Sequence, residues 1–238
     1  MNNYDRYSRQ IHKDMLLKEH QSLLKNSTVT ICGCGGLGTP AATYLAMAGI
    51  GTIHLFDKDQ IEVTNLNRQF MYEIEDIGKP KALQLANRLG RLNSDISIVS
   101  HTTDITRDDS FEEVVHASTI ILDCLDSITV RKVLGEKAAD LSKPIIHGGI
   151  RAWFGQIAVF YPKELPSLAS LPEVAPEVPF IPSIGVIPGI IGTMQALECI
   201  KMLLDFPVID SSKMHIFNGF SFEWSSYDKQ IFIPKGQR

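Results

Sequence analysis

Hydrophobic and polar positions change period repeatedly along this chain. In residues 13–26, KDMLLKEHQSLLKN, the pairs Leu16/Leu17 and Leu23/Leu24 recur seven apart, the spacing of an amphipathic helix. Short apolar runs at Thr28–Cys32, Thr52–Phe56, Ile96–Ser100, Thr119–Cys124 and Pro144–His147 read as buried strands. Between them Pro40–Ala48, Pro80–Leu92, Ser110–His116 and Thr129–Leu141 have helical spacing, with Leu83, Ala86 and Leu89 on one face. Strands and helices alternating at these lengths predict βαβ units and a doubly wound, Rossmann-like α/β fold with a mostly parallel sheet.

The pattern then changes. Gln156–Tyr161 reads as one more strand, after which the stretch from Pro162 to Pro188 holds seven of the twelve prolines. Proline fixes φ and removes a donor, so this stretch forms neither a packed helix nor a central strand; a crossing loop is expected. A long helix follows at Ile190–Leu204. Met214–Phe217 and Gln230–Ile233 are expected to be antiparallel C-terminal strands joined through FNGFSFEWSSYDK. With no internal repeat or linker in view, residues 1–238 are expected to form a single domain.

The bulk numbers mostly exclude. A chain of 238 residues, 44% hydrophobic and 21% charged, can bury a large core. A net charge of −4 leaves no footprint for nucleic acid or an anionic membrane surface. The polar start, MNNYDRYSRQIHKD, has no secretory h-region. The longest apolar run, Ile184 to Ile191, is broken by Gly185, Pro188 and Gly189, so no membrane span and a cytoplasmic location are expected. The four cysteines, Cys32, Cys34, Cys124 and Cys199, have neither C-x-x-C nor zinc-ribbon spacing; reduced, buried thiols and no zinc site are expected.

Chemistry concentrates between Thr28 and Phe70. The first strand ends in Gly33-Cys34-Gly35-Gly36-Leu37-Gly38, where Gly33, Gly35 and Gly38 satisfy G-x-G-x-x-G, the turn that lets backbone approach phosphate without a Cβ in the way. The helix opening there aims N–H groups at anionic oxygens. Asp57, at the end of the second strand, stands where a carboxylate accepts from ribose hydroxyls. These features alone fit any nucleotide, NAD in a dehydrogenase included. The loop that follows does not fit a dinucleotide: Asp57-x-Asp59, then Thr64-Asn65-Leu66-Asn67-Arg68-Gln69, polar and cationic, suits a triphosphate.

Taken with the rest of the chain, these residues resemble the ThiF/MoeB/HesA family of bacterial ubiquitin-activating-enzyme-like adenylyltransferases. The likeness runs through Arg6-Tyr-Ser-Arg9-Gln10, Gly33–Gly38, Asp57–Gln69, Asp76–Ala82 (DIGKPKA), Asp123–Ser127 (DCLDS) and Gly192–Leu204 (GTMQALECIKMLL), in order, and is nearest the ThiF branch. It implies ATP and Mg²⁺, adenylation of the C-terminal Gly-Gly carboxylate of a small ubiquitin-like sulfur-carrier protein of the kind that serves thiamine biosynthesis, and a homodimer. By motif position Arg68 and Lys81 are implied to embrace the phosphates, Arg9 to reach a neighbour's site, and Asp126 to hold Mg²⁺. Asp57 is implied at the ribose, with Asp59, Asn65, Gln69, Gly36 and Ser127 completing the nucleotide site.

On the residues alone other readings stay open. Arg6 and Arg9 also fit solvated charges at a terminus. Lys81 also fits a surface lysine, and Asp123 or Asp126 a helix cap. The glycines also fit close helix–strand packing. Two departures from the family stand out. The two C-x-x-C pairs that hold zinc in many relatives are absent, and Val178 occupies the crossing-loop position where some relatives carry a cysteine. Asp126-Ser127 also replaces the commoner Asp-Asn. Adenylation needs cations and Mg²⁺ rather than a thiol, so it is expected to survive, whereas covalent capture of the carrier on this loop is not. Three alternatives follow: the molybdopterin sulfur carrier as acceptor, a peptide as acceptor, and a nucleotide-binding partner protein without turnover.

Overall fold

The first five strands pair in parallel, and the central ones, Thr28–Cys32 and Ile120–Asp123, are short, mostly β-branched or apolar runs buried on both faces. The computed structural model describes residues 5–171 and 182–232. The strands are β1 (Thr28–Cys32), β2 (Thr52–Phe56), β3 (Ser97–His101), β4 (Ile120–Asp123), β5 (Ile145–Arg151), β6 (Phe154–Phe160), β7 (Lys213–Asn218) and β8 (Glu223–Asp228). They form one eight-stranded sheet in the order β3-β2-β1-β4-β5-β6-β7-β8. Pairing is parallel from β3 to β5, with Ile31 beside Leu55 on one side and Leu122 on the other. From β5 to β8 it is antiparallel. The expected doubly wound sheet with antiparallel C-terminal strands is the fold observed.

The helices are α1 (Lys18–Lys25), α2 (Gly38–Ala48), α3 (Lys81–Leu92), α4 (Phe111–Ala117), α5 (Ile128–Asp140) and α6 (Val186–Leu203). One face of the sheet is covered by α1, α2, α3 and α6 through Leu24, Leu45, Leu85, Leu89, Ile191 and Cys199. The other is covered by α4 and α5 through Phe111, Val115, Leu134 and Ala138 against Phe56 and Phe160. The four cysteines are free and buried, as small apolar residues. α2 ends at Gly49, whose φ of 87° gives the left-handed stop that a Cβ resists.

Three expectations need correcting. The last strand is not Gln230–Ile233: the chain forms β8 earlier, and Lys229–Phe232 is a single 3₁₀ turn, with Ile233 outside the described residues. Every residue of β8 is exposed, so this edge strand has no buried face to write an alternating pattern into the sequence. The apolar run at Ile184–Ile191 does continue far enough: α6, Val186–Leu203, has the length and composition to cross a membrane. It instead packs on the sheet with Ile187, Ile191, Ala196 and Cys199 buried. The crossing loop ends sooner than expected, because α6 starts at Val186 and takes Pro188 into its first turn, where the missing N–H costs no helical bond; residues 172–181, including Val178, lie outside the described residues.

Candidate active site

β1 and β4 are neighbours whose following helices, α2 and α5, lie on opposite faces. Between their C-terminal ends the strand order reverses, which in open α/β sheets opens a ligand crevice. The glycine turn enters this crevice from β1. Gly33 has φ of 99° and donates its N–H to Phe56 O at 2.8 Å. A Cβ on Gly33 would lie 2.5 Å from Cys124 O, and one on Gly38 would lie 1.9 Å from Gly33 O. Both glycines are therefore required by packing. Gly35 differs: a Cβ there would meet only the Gln69 side chain, 3.4 Å away. No side chain caps the start of α2, which leaves its first turn open to an anion.

Asp57 follows β2 and is locked from both sides. Its Oδ2 accepts the Cys34 N–H at 2.7 Å and its Oδ1 the Asp59 N–H at 2.8 Å. Burial pushes its pKa up, against the opposing pull of Lys81 and those two amides. Lys81, first residue of α3, is buried, and its Nζ sits 3.1 Å from Asp59 Oδ2. It is therefore no ordinary surface lysine. The Tyr72 hydroxyl lies 2.8 Å from Cys34 O and 3.2 Å from Lys81 O, fastening the turn to α3. Nothing local in the sequence marks Tyr72 for this role.

Arg68 leaves the 3₁₀ turn Val63–Asn65 beside the glycine turn, its Cγ 3.5 Å from where a Gly36 Cβ would be. Its Nη1 donates to Thr64 O and Asn67 Oδ1 at 2.8 and 2.9 Å. Asn65 is buried, and its Oδ1 caps that turn by accepting the Glu62 N–H at 3.0 Å. Gln69 is 3% exposed, and its Oε1 has no hydrogen-bond partner among the described residues. An orphaned amide oxygen costs stability where it stands, unless a ligand group completes it. The atom of this amide nearest Gly35 is Nε2, 3.4 Å from where a Gly35 Cβ would stand.

On the β4 side Cys124 N–H donates to Cys32 O at 2.9 Å, tying the two loops together. Neither aspartate caps α5. Ser127 is the N-cap, its Oγ accepting the Val130 N–H. Asp126 is exposed. Asp123 is fully buried, with Oδ2 at 2.8 Å from Arg131 Nε and 2.7 Å from His147 Nδ1. Burial raises its pKa, but Arg131 and His147 outweigh that and hold it below the usual carboxylate range. His147 Nε2 lies 2.9 Å from Gln156 Nε2, and Gln195 Nε2 donates to Asp123 O and Ile146 O. These partners come from β5, β6 and α6, so sequence reading did not find them.

The structure thus gathers Gly33, Gly35, Gly36, Gly38, Asp57, Asp59, Asn65, Arg68, Gln69 and Lys81 around one turn, facing the Asp123–Ser127 loop. Arg9 is not among them. Its neighbours Arg6 and Gln10 bond Leu92 O and Ala48 O, at the far ends of α3 and α2. Arg9 itself is exposed there, about 16–18 Å of helix from the turn. For Mg²⁺, the donor available is Asp126, and no group of three metal-binding side chains exists among the described residues. One hard carboxylate shared with substrate phosphates is a mode Mg²⁺ uses, so the residues fit metal arriving with the nucleotide.

A profile of the ThiF family matches residues 7–232. This chain belongs to the ThiF family. ThiF-family proteins are ubiquitin-activating-enzyme-like adenylyltransferases, and the curated relatives carry that chemistry in their names. The chain is 35% identical to the sulfur carrier protein ThiS adenylyltransferase of Escherichia coli, over 95% of this chain and 92% of that protein. It is 34% identical to the sulfur carrier protein adenylyltransferase of Thermus thermophilus, over 84% and 78%. It matches the adenylyltransferase and sulfurtransferase MOCS3 of Aedes aegypti at 35%, spanning about half (51%) of that longer protein. Among solved structures, Escherichia coli MccB with AMPCPP and MccA superposes with a TM-score of 0.81 at 24% identity, over 96% of this chain and 72% of that one. That last likeness is one of fold.

Proposed function

We propose that this chain adenylates the C-terminal glycine of a small ubiquitin-like sulfur carrier of the ThiS type, serving thiamine biosynthesis, as a homodimeric, single-domain enzyme of the cytoplasm. The reading is carried by the cations Arg68 and Lys81 beside a glycine turn whose neighbour Gln69 has an unfilled acceptor. The near full-length likeness to a ThiS adenylyltransferase supports the choice of carrier.

In the proposed step a carrier carboxylate oxygen attacks the α-phosphorus of ATP. The α–β anhydride bond breaks, and pyrophosphate leaves with its electron pair. Both reactants are anions, so the barrier is set by charge, and preorganised cations lower it. Lys81, held against Asp59, and Arg68, at the rim, take the phosphates. Asp57 presents its remaining acceptor capacity to the ribose, and Gln69 completes its hydrogen bonding on the nucleotide. Asp126 and Ser127 face the phosphates from the opposite loop, where bound Mg²⁺ would add charge neutralisation. Arg9, remote from its own site, serves the partner's.

Carrier-dependent exchange of labelled pyrophosphate into ATP tests the whole reading. Exchange is expected with a ThiS-type carrier. Exchange only with a molybdopterin carrier or a peptide would move the acceptor, and none with any of them would leave a nucleotide-binding protein without turnover.

A further inference from the structure

The Leu125 peptide is held at both ends. Its N–H donates to Asp123 Oδ1 at 3.1 Å, and its C=O accepts from Arg131 Nη2. The same guanidinium donates Nε–H to Asp123 Oδ2, the oxygen that also meets His147. Nε and Nη2 form one edge of the planar fork, so a single rigid group spans a carboxylate and a carbonyl. Arg131 sits in the first turn of α5, its backbone N–H on Ser127 O at 3.0 Å. The chain therefore turns at Leu125 with strand, helix and guanidinium all fixing where Asp126 starts.

We infer that Arg131 is a positioning residue: it clamps the Leu125 peptide so that Asp126 and Ser127 face the nucleotide's phosphates and metal. This rests on the assignment of Asp126 to Mg²⁺ above. Arg131 touches no substrate in this arrangement; it acts through the turn. Lysine keeps the charge but offers no fork, so Arg131→Lys preserves attraction to Asp123 and releases the Leu125 carbonyl.

The test uses full-length protein and two readouts. Amide exchange of the peptide covering 124–130, without nucleotide, is expected to quicken at least about tenfold in Arg131→Lys while the melting temperature stays near wild type. ATP affinity, measured by calorimetry with and without Mg²⁺, is expected to lose about tenfold or more of its Mg²⁺ enhancement in Arg131→Lys, as in Asp126→Asn. Asp126→Asn retaining the full enhancement would remove the assignment on which the inference stands. Loss in Asp126→Asn but not in Arg131→Lys, or unchanged exchange at 124–130, would overturn the inference alone. Should Arg131→Lys not fold, Arg131→Gln, which keeps one donor, replaces it under the same criteria.

Discussion

Lys81 is at once a buried residue and an ion-pair partner of Asp59, whose side chain is half exposed. Removing the lysine leaves Asp59 in contact with water and buried Asp57 still held by the Cys34 and Asp59 amides, so the fold is expected to tolerate Lys81→Ala, and Arg68→Ala at the rim more easily still. Their cost belongs to the reaction. Each is expected to lower carrier-dependent exchange by about 10² to 10³, some 3–4 kcal/mol of lost transition-state stabilisation. A variant keeping more than about a tenth of wild-type exchange would have no place among the phosphate ligands. His147 gives a pH prediction. Burial holds its pKa below the ordinary value, so the folded chain keeps it neutral while the unfolded chain takes up a proton below about pH 6.5. Its contribution is thus whole above that pH and falls away on acidification, by at most about 1.4 kcal/mol per pH unit. Urea unfolding at pH 7.5 and 5.5 is expected to show a steeper loss for wild type than for His147→Gln; equal slopes would refute it.

Among the elements, the glycine turn is the least tolerant. Gly38→Ala would push a methyl into Gly33 O, so about 1–3 kcal/mol of stability and most ATP affinity should go together, read by thermal melting and calorimetry. A variant with wild-type affinity would mean the turn opens without harm. Legibility follows the same lines. β1 and β2 match their predicted bounds because buried parallel strands are continuous apolar runs; α3 starts one residue later than expected and buries Ala82, Leu85 and Leu89, whereas Leu83 of the expected face is exposed. β8 was missed because an exposed edge leaves no such record, while the apolar QIFI segment imitated a strand. At the site, residues next to the glycines in sequence were legible: Asp57, Arg68 and Gln69 lie on the adjoining loop. Asp123's partners His147 and Arg131 were not, since β5 and α5 bring them in through tertiary pairing. The unfilled Gln69 oxygen is a fact of packing that no motif encodes.

Across the molecule, the arm carrying Arg9 and the nucleotide turn stand at opposite ends of the same two helices. If partners exchange arms, inactive Arg9→Ala and inactive Lys81→Ala subunits are expected to restore activity on mixing, since one site in each mixed dimer is intact. Mixtures that stay inactive after demonstrated subunit exchange would defeat trans completion. The seam between β1 and β4 has a different consequence. Thr30 and Ser118, hydrogen-bonded across it, are 88 positions apart, so this contact forms only after a long loop has closed. The crevice exists only once that closure is made. A nucleotide spanning both sides, as proposed above, would act as a bolt across this long-range join. ATP at a hundred times its Kd would add about 2.7 kcal/mol to the unfolding of the whole sheet rather than to one loop. A fragment ending before β4 would carry the glycine turn, Arg68 and Lys81 but lack the opposite wall of the crevice.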